Sequence, residues 1–196
     1  MSKLHDQVVV VTGASSGIGR AACVLFAKRG AKLVLAARRD SELEETARAT
    51  GVDPARILTV PTDVTEEAQV GALVQAALEK FGRIDVWVNN AGVTLFALLE
   101  QAPFEEHRRV IETNLLGAML GARAVIPVFR RQRRGVLINV GSILSKIGQP
   151  FVPSYTISKF GLHGLTEVLR TEFADDPDIH ICGFYPYAVD TQHFEA

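Results

Sequence analysis

Short, nearly continuous apolar runs alternate with longer amphipathic stretches along the whole chain. Six of these runs have the length of buried strands, at 8–11, 33–37, 57–60, 84–88, 136–140 and 179–184. Helical patterns lie between them, at 18–29, from Asp40 and from Thr65 as capping residues, at about 103–131 and at about 154–174. Strands that are apolar on both faces and separated by helices predict an α/β fold whose parallel sheet is covered on both sides.

The composition is that of one ordinary globular domain without a strong charge. The chain has 196 residues, of which 47% are hydrophobic and 22% charged, and its net charge is −1. This balance provides no basic field for nucleic acid, and the arginine-rich run at 130–134 suits a helix C-terminus better than a nucleic-acid or membrane contact. No repeat or linker divides residues 1–196, so a single domain is expected.

The cysteines, the histidines and the lengths of the apolar runs indicate where the protein is located and whether it binds a metal. Cys23 and Cys182 are the two cysteines and each lies within an apolar pattern, which indicates reduced core thiols. The N-terminus shows no signal-peptide pattern, and no apolar run reaches the ~18 residues of a membrane helix. The five histidines show no metal-ligand spacing. The sequence thus predicts a cytoplasmic protein without a membrane segment or metal site.

A glycine-rich turn follows the first predicted strand directly and opens the first predicted helix. It reads Thr12-Gly13-Ala14-Ser15-Ser16-Gly17-Ile18-Gly19. Glycines allow close backbone approach, and the helix N-terminus presents free N–H groups to a pyrophosphate. The strand–turn–helix context favours a dinucleotide site over an ordinary connecting turn. The candidate cofactor contacts in the turn are Gly13, Ser15, Ser16, Gly17, Ile18 and Gly19.

The end of the second predicted strand bears on the choice between NAD and NADP. An acid at this point would bind the ribose diol of NAD, but the strand ends at Ala37 and continues into Arg38 and Arg39. Arg38 can pair with a 2′-phosphate and Ser15 can add a hydroxyl, so NADP(H) is favoured, with Arg39 as a further candidate contact. Asp40 lies near the usual offset of the ribose acid but suits a helix cap better, which leaves NAD(H) as the alternative.

Tyr155 and Lys159 stand four residues apart on a predicted helix, and Ser142 lies thirteen residues before Tyr155. Positions i and i+4 share a helix face, so the phenol and the ammonium can point into one site. A phenol has a pKa of about 10, and a neighbouring ammonium is one of the few groups that can lower it toward neutral pH. The pair is therefore a candidate acid/base, although Tyr and Lys at this spacing are common on helices.

Six elements of the sequence together resemble the classical form of the short-chain dehydrogenase/reductase family. They follow the family's order over essentially the whole chain: Thr12-Gly13-x-x-x-Gly17-x-Gly19, Asp63-Val64, Asn89-Asn90-Ala91-Gly92, Asn114, Ser142 and Tyr155-x-x-x-Lys159. The resemblance implies a Rossmann-type, doubly wound α/β/α fold with strand order 3-2-1-4-5-6 and the ligand at the carboxyl ends of the strands. It also implies an NADP(H)-dependent oxidoreductase that interconverts a carbonyl and an alcohol by hydride transfer. A non-catalytic NADP-binding regulatory or interaction protein of the same fold is the alternative.

The resemblance implies a role for each of four candidate catalytic residues. Tyr155 would be the general acid/base, and Lys159 would bind the nicotinamide ribose and lower the pKa of the phenol. Ser142 would donate a hydrogen bond to the substrate oxygen, and Asn114 would stabilise a helix irregularity and hold a water of a proton relay. The residues alone leave blander alternatives open, since Asn114 could be an ordinary mid-helix polar residue and Ser142 a strand-end hydroxyl.

The resemblance also implies cofactor contacts beyond the glycine turn. They would touch the adenine, its ribose and the nicotinamide in turn: Asp63 and Val64, then Asn90, Ala91 and Gly92, then Pro186, Val189 and Thr191. Taken alone, Asp63 suits a helix-capping acid. Tyr187 departs from the family, which usually has glycine there, and the sequence stops at Ala196, before the family's substrate-lid segment and seventh strand.

One group of apolar residues is a candidate wall of the substrate pocket, and a second group is a candidate contact with another copy of the chain. A pocket wall for a lipophilic carbonyl or alcohol would comprise 94–99, Ile143, Leu144, Phe151 and Val152, although these could also be core residues. By resemblance, four residues would pair with a second copy in a homodimer or homotetramer: Leu115, Met119, Leu162 and Leu165. Packing within one chain is the alternative for each of them.

Overall fold

The computed structural model describes residues 4–187, in which six strands form one parallel sheet. The strands are β1 (Val8–Thr12), β2 (Lys32–Ala37), β3 (Ile57–Pro61), β4 (Val86–Asn89), β5 (Gly135–Val140) and β6 (Ile179–Phe184). The helices are α1 (Gly17–Lys28), α2 (Asp40–Thr50), α3 (Glu67–Phe81), α4 (Phe104–Ile111), α5 (Gly117–Gln132) and α6 (Pro153–Glu172). Val189 and Thr191, two of the expected cofactor contacts, lie outside the described residues.

The strand order is β3-β2-β1-β4-β5-β6, which confirms the order expected from the resemblance. Register is set along β1, where Val9 pairs with Leu33 of β2 on one side and with Val86 of β4 on the other. β2 and β3 lie on one side of β1, and β4, β5 and β6 lie on the other. The strand order therefore switches direction between β1 and β4. In a doubly wound sheet, the ligand crevice lies at the carboxyl ends of the strands at this switch point, beside the loops that follow β1 and β4.

Both faces of the sheet are buried, because successive residues of a strand face opposite layers. Val8 and Val10 belong to the core that contains Trp87 and Phe129, whereas Val9 and Val11 belong to the core that contains Cys23. All four valines of β1 are fully buried. Burying such a side chain contributes about 1.5–3 kcal/mol, so an apolar run of this kind is stable only inside a covered sheet.

Several predicted boundaries were wrong because side chains make contacts that the local pattern does not show. Asp40 is the first residue of α2, whose N-cap is Arg39, and no side chain caps it. Thr65 does not cap α3, which begins at Glu67, because both its backbone N–H and its hydroxyl donate to the carboxylate of Asp63. The expected 103–131 helix is divided into α4 and α5 by a π-helical segment, Glu112–Leu116.

Cys23 lies in the interior, as its apolar pattern indicates, whereas Cys182 is half-buried. Cys23 and Cys182 are both free, and burial raises the pKa of the Cys23 thiol to about 12. Leu162 is buried within its own chain, so its assignment to an interface between copies was wrong. Within the described part of the chain, no helix combines the length and hydropathy needed to cross a membrane.

Candidate active site

The glycine turn between β1 and α1 requires its glycines for space and for backbone conformation. Gly13 and Gly17 have φ of +64° and +50°, which side chains disfavour. A Cβ on Gly13 would lie 2.7 Å from Cα of Ala91, and a Cβ on Gly19 would lie 2.1 Å from the Gly13 carbonyl oxygen. The turn is therefore pressed against both the start of α1 and the loop after β4.

Asn90 joins the loop after β4 to this turn. Its Nδ2 donates to the carbonyls of Thr12 and Gly13, at 2.9 and 3.1 Å. In return, Oγ1 of Thr12 accepts from the backbone N–H groups of Asn90 and Ala91, at 3.0 and 3.2 Å. These four bonds hold the loops after β1 and β4 together.

A second set of hydrogen bonds reaches the turn from α2, and no sequence motif predicts it. The buried hydroxyl of Thr46 donates to the carbonyl of Ala14 at 3.1 Å and accepts from Nε of Arg20 at 2.9 Å. Arg20 also pairs with Glu45 at 3.0 Å. Nothing in the local pattern marks Thr46, because it acts across 32 residues of sequence.

The first turn of α1 is not capped by a side chain. Ser16 is the N-cap and has extended backbone, but its side chain makes no capping hydrogen bond. The first N–H groups of the helix have no intrahelical partners, which makes this end of the helix favourable to anions. Ser15 is buried in the turn and Ile18 is half-buried in the first turn of the helix.

The ends of β2 and β3 place two arginines and one carboxylate beside the crevice. Arg38 is exposed, whereas Arg39 pairs with Glu42 at 2.5 Å. Partial burial opposes ionisation of Asp63, but hydrogen bonds from Thr65 and the nearby positive charge of Arg38 outweigh it, so the pKa of Asp63 is lowered. Val64 is buried beside α5, where a Cβ on Gly117 would lie 2.8 Å from its Cγ2.

Ser142 and Tyr155 meet at the carboxyl end of β5. The Ser142 hydroxyl accepts from the Leu144 N–H at 3.1 Å and shares a side-chain hydrogen bond with Tyr155, which stands in the first turn of α6. Burial raises the pKa of the Tyr155 phenol, and the bond to Ser142 offsets only part of that effect. The phenol is therefore held protonated next to a second hydroxyl.

Lys159 lies one helical turn further along and is buried. Its Nζ donates to the Val140 carbonyl at 2.8 Å and stands 5.5 Å from the centre of the Tyr155 ring. Burial lowers the pKa of Lys159 to about 8. Within residues 4–187 no carboxylate forms an ion pair with this ammonium.

Asn114 lies in the π-helical segment, a distortion that often marks a functional site. Its amide accepts from the N–H of Val93 at 2.8 Å and donates to the Val93 carbonyl at 2.9 Å. It also donates to Oγ of Ser158 at 3.1 Å, and Ser158 in turn donates to the Tyr155 carbonyl at 2.7 Å. Asn114 thus joins the loop after β4 to the helix that carries Tyr155, and Gly92 lies against its Oδ1.

The segment after β6 passes close to Ser142. The carbonyl of Pro186 accepts from the Ile143 N–H at 2.9 Å, which places Pro186 next to the residue that follows Ser142. Tyr187 is 79% exposed. Among the described residues, only Asp6, Arg133 and Phe151 combine a side chain with positive φ, so Tyr187 occupies the usual glycine position without that strain.

The geometry brings the four candidate catalytic residues together at the carboxyl edge of the sheet. Asn114 and Tyr155 are linked through Ser158, Ser142 bonds to Tyr155, and Lys159 stands beneath the phenol ring. A buried, protonated phenol beside an ammonium can donate a proton to an oxygen in the crevice and recover it from there. The glycine turn opens into the same crevice from the β1 side.

Comparisons with known proteins agree with this geometry. A family model described as short chain dehydrogenase matches residues 7–196. An uncharacterized oxidoreductase of Staphylococcus saprophyticus is 41% identical over 174 residues, which cover 89% of this chain and 70% of that protein.

Two solved structures superpose on the fold with a TM-score of 0.94. One is a short-chain dehydrogenase/reductase from Burkholderia phymatum in complex with NAD, 32% identical over 100% of this chain and 70% of its own. The other is levodione reductase, 36% identical over 98% of this chain and 76% of its own. The chain belongs to the short-chain dehydrogenase/reductase family of oxidoreductases.

Proposed function

We propose that the protein interconverts a carbonyl and an alcohol by hydride transfer with NADP(H). The observation that carries this proposal is the assembly of Ser142, Tyr155 and Lys159 in one crevice, with the phenol bonded to Ser142 and the ammonium below its ring. Burying the charge of Lys159 is costly, and within residues 4–187 no carboxylate pairs with it, so a role in the site is favoured over a packing role.

Each catalytic side chain has a role that its contacts support. Tyr155 donates its proton to the carbonyl oxygen during reduction and takes the alcohol proton during oxidation. Ser142 holds the same oxygen by a hydrogen bond, and Lys159 favours the phenolate that forms when the proton leaves. Asn114 fixes the helix that bears Tyr155 and stands where a relay could reach Lys159.

The crevice residues fit a dinucleotide. The uncapped first turn of α1 suits the pyrophosphate, and the bound cofactor would supply or accept the hydride. The proposed contacts are Gly13, Ser15, Ser16, Gly17, Ile18, Gly19, Arg38, Arg39, Asp63, Val64, Asn90, Ala91, Gly92, Tyr155, Lys159, Pro186, Val189 and Thr191. The exposed guanidinium of Arg38 favours NADP(H), although the Burkholderia relative was solved with NAD.

The substrate proposed is a small carbonyl or alcohol with an apolar part. Four side chains on the loops after β4 and β5 are at least half exposed despite being apolar: Phe96, Leu99, Ile147 and Phe151. An exposed apolar cluster next to polar catalytic groups is typical of a ligand site. Leu144 and Val152, by contrast, are buried and belong to the wall behind it.

A second copy of the chain is the partner proposed for the outer faces of α5 and α6. A groove of about 650 Å³ there is lined mainly by apolar side chains, among them Leu116, Met119, Leu120, Ile126, Leu165 and Leu169. Leu116 and Met119 are largely exposed, and Ile157, Phe160 and Val168 continue the exposed apolar surface along α6. Leu115 is half-buried against Gly161 and contributes less. A homodimer or homotetramer would cover this surface.

Turnover of NADPH with a panel of aldehydes and ketones tests the proposed function. We expect oxidation of NADPH that depends on the carbonyl compound and is fastest with apolar members of the panel. Folded protein that binds NADPH but turns over no member would refute catalysis and support the non-catalytic alternative. Light scattering of the same sample would show whether the chain is a dimer, a tetramer or a monomer.

A further inference from the structure

His107 of α4 is 4% exposed, and both of its ring nitrogens have partners. Nε2 lies 3.2 Å from the carbonyl oxygen of Leu99, and Nδ1 lies 3.1 Å from Oγ of Ser154. Because a carbonyl can only accept, the neutral ring carries its proton on Nε2 and donates there, and Nδ1 accepts from the Ser154 hydroxyl. One tautomer therefore satisfies both contacts.

The two partners of His107 belong to different parts of the site. Leu99 lies in the loop between β4 and α4, which carries exposed apolar side chains. Ser154 is the second residue of α6 and immediately precedes Tyr155. A single buried side chain thus links an apolar loop of the crevice to the first turn of the catalytic helix.

A second contact ties the same loop to the loop after β5. The Ala97 N–H donates to the Phe151 carbonyl at 2.8 Å. Phe151 has φ of +68°, a strained conformation for a bulky residue that persists only where surrounding contacts hold it. We define the rim as the four exposed apolar side chains of these loops, Phe96, Leu99, Ile147 and Phe151.

We propose that His107 is a positioning residue that holds the rim against the start of α6 and so selects substrates with an extended apolar substituent. The proposal rests on the proposed function, because the rim borders the crevice of Ser142 and Tyr155. His107 itself does not touch the reacting atoms. Its removal releases the Leu99 end of the loop, while the hydrogen bond between Ala97 and Phe151 remains.

The test compares His107→Leu with His107→Gln in the full chain. Leucine has neither donor nor acceptor, whereas the amide of glutamine can donate to Leu99 and accept from Ser154. For a series of methyl ketones of increasing chain length, we expect His107→Leu to raise KM about tenfold for the longest member and little for the shortest. The kcat for the shortest ketone and the Kd of NADPH should change less than about twofold, and His107→Gln should restore most of the loss.

Hydrogen exchange of the rim backbone gives a readout that does not depend on turnover. We expect faster exchange of the Ala97 amide in His107→Leu, with β1 and β2 unchanged. Unchanged exchange at Ala97, or a KM increase that is the same for every chain length, would overturn the proposal. If His107→Leu does not fold, Ser154→Ala and His107→Gln carry the same comparison. A wild-type protein without turnover would defeat the proposed function, while exchange at Ala97 would still decide whether His107 holds the rim.

Discussion

The two sides of the crevice are built by different physical means. On the β1 side, the glycine turn is fixed by hydrogen bonds between neutral groups, such as the four side-chain-to-backbone bonds that join Thr12, Gly13, Asn90 and Ala91. On the β5 side, the arrangement depends on a buried charge, the ammonium of Lys159 beneath the Tyr155 ring. The first side therefore tolerates changes of pH but not of shape, whereas the second responds to pH.

This difference suits the ligands that each side would receive. A dinucleotide is bound mainly by close backbone approach, which a tight turn provides without ionisable groups. Proton transfer requires a group that can exist in two charge states, and a buried environment separates the energies of those states. Substitutions on the two sides should accordingly affect different measured quantities.

The largest effect is expected from Tyr155→Phe. Loss of the hydroxyl removes the proton donor, so kcat should fall by about 10²–10⁴-fold, while the Kd of NADPH should stay within about twofold. Steady-state turnover and fluorescence titration of NADPH measure the two quantities. Activity equal to wild type would remove Tyr155 from its assigned role.

The pH dependence of stability tests the buried charge of Lys159. Its folded-state pKa of about 8 lies below the ordinary 10.5, so burial destabilises the fold in full below pH 8. Between these values the folded protein has lost the proton that the unfolded chain retains. The free energy of unfolding should therefore rise with pH, by roughly 3 kcal/mol in total.

Lys159→Met is the matched control for this pH dependence, because it removes the titrating group and keeps a long side chain. Urea denaturation at intervals from pH 7.5 to pH 10.5 would give the free energy of unfolding of both proteins. We expect wild type to gain stability relative to the variant over this window. Parallel curves would contradict a depressed pKa for Lys159.

Gly19→Ala tests the close packing of the glycine turn on the β1 side of the crevice. The added Cβ would lie 2.1 Å from the Gly13 carbonyl oxygen, so the turn must shift, at a cost of about 1–3 kcal/mol in stability and with weaker NADPH binding. Gly71→Ala is the control, because a Cβ there meets nothing within 4 Å and alanine favours a helix interior. Thermal unfolding and NADPH titration should show loss in the first variant only, and equal behaviour of the two would contradict the close packing of the turn.

Arg38→Ala should have the smallest effect, and it tests whether a charged side chain on the β1 side contributes to cofactor binding. Loss of a partner for the 2′-phosphate should raise the Kd of NADPH about tenfold and leave that of NADH nearly unchanged. Arg39→Ala should weaken NADPH binding less, because Arg39 already pairs with Glu42. Equal losses for both cofactors in Arg38→Ala would argue against NADP(H) as the preferred cofactor.

The sequence predicted those features whose cause is local. All six strands were expected within two residues of their observed starts, because continuous apolar runs have no other stable place than a covered sheet. Spacing placed Tyr155 and Lys159 on one helix face, but the assignment of Ser142, Tyr155 and Lys159 as catalytic residues came from the resemblance. The strand order came from the resemblance and not from the pattern.

Features that depend on distant contacts were not predictable in this way. β4 begins at Val86, and the carboxylate of the preceding Asp85 accepts from the N–H of Val8 across 77 residues. His107 looked like any surface or core histidine until its two partners were known. The same holds for Leu162, which a helical pattern could not assign to the core or to an outer face.

The position of β1 in the middle of the sheet has a consequence during synthesis. Its residue Val9 pairs with Val86, which the ribosome adds 77 residues later. At the usual 5–20 residues per second, one edge of β1 stays without its neighbour for about 4–15 s. During that interval a strand with four consecutive valines presents unpaired N–H and C=O groups, the state in which strands join other chains. A cell that makes this protein must protect the nascent chain for those seconds.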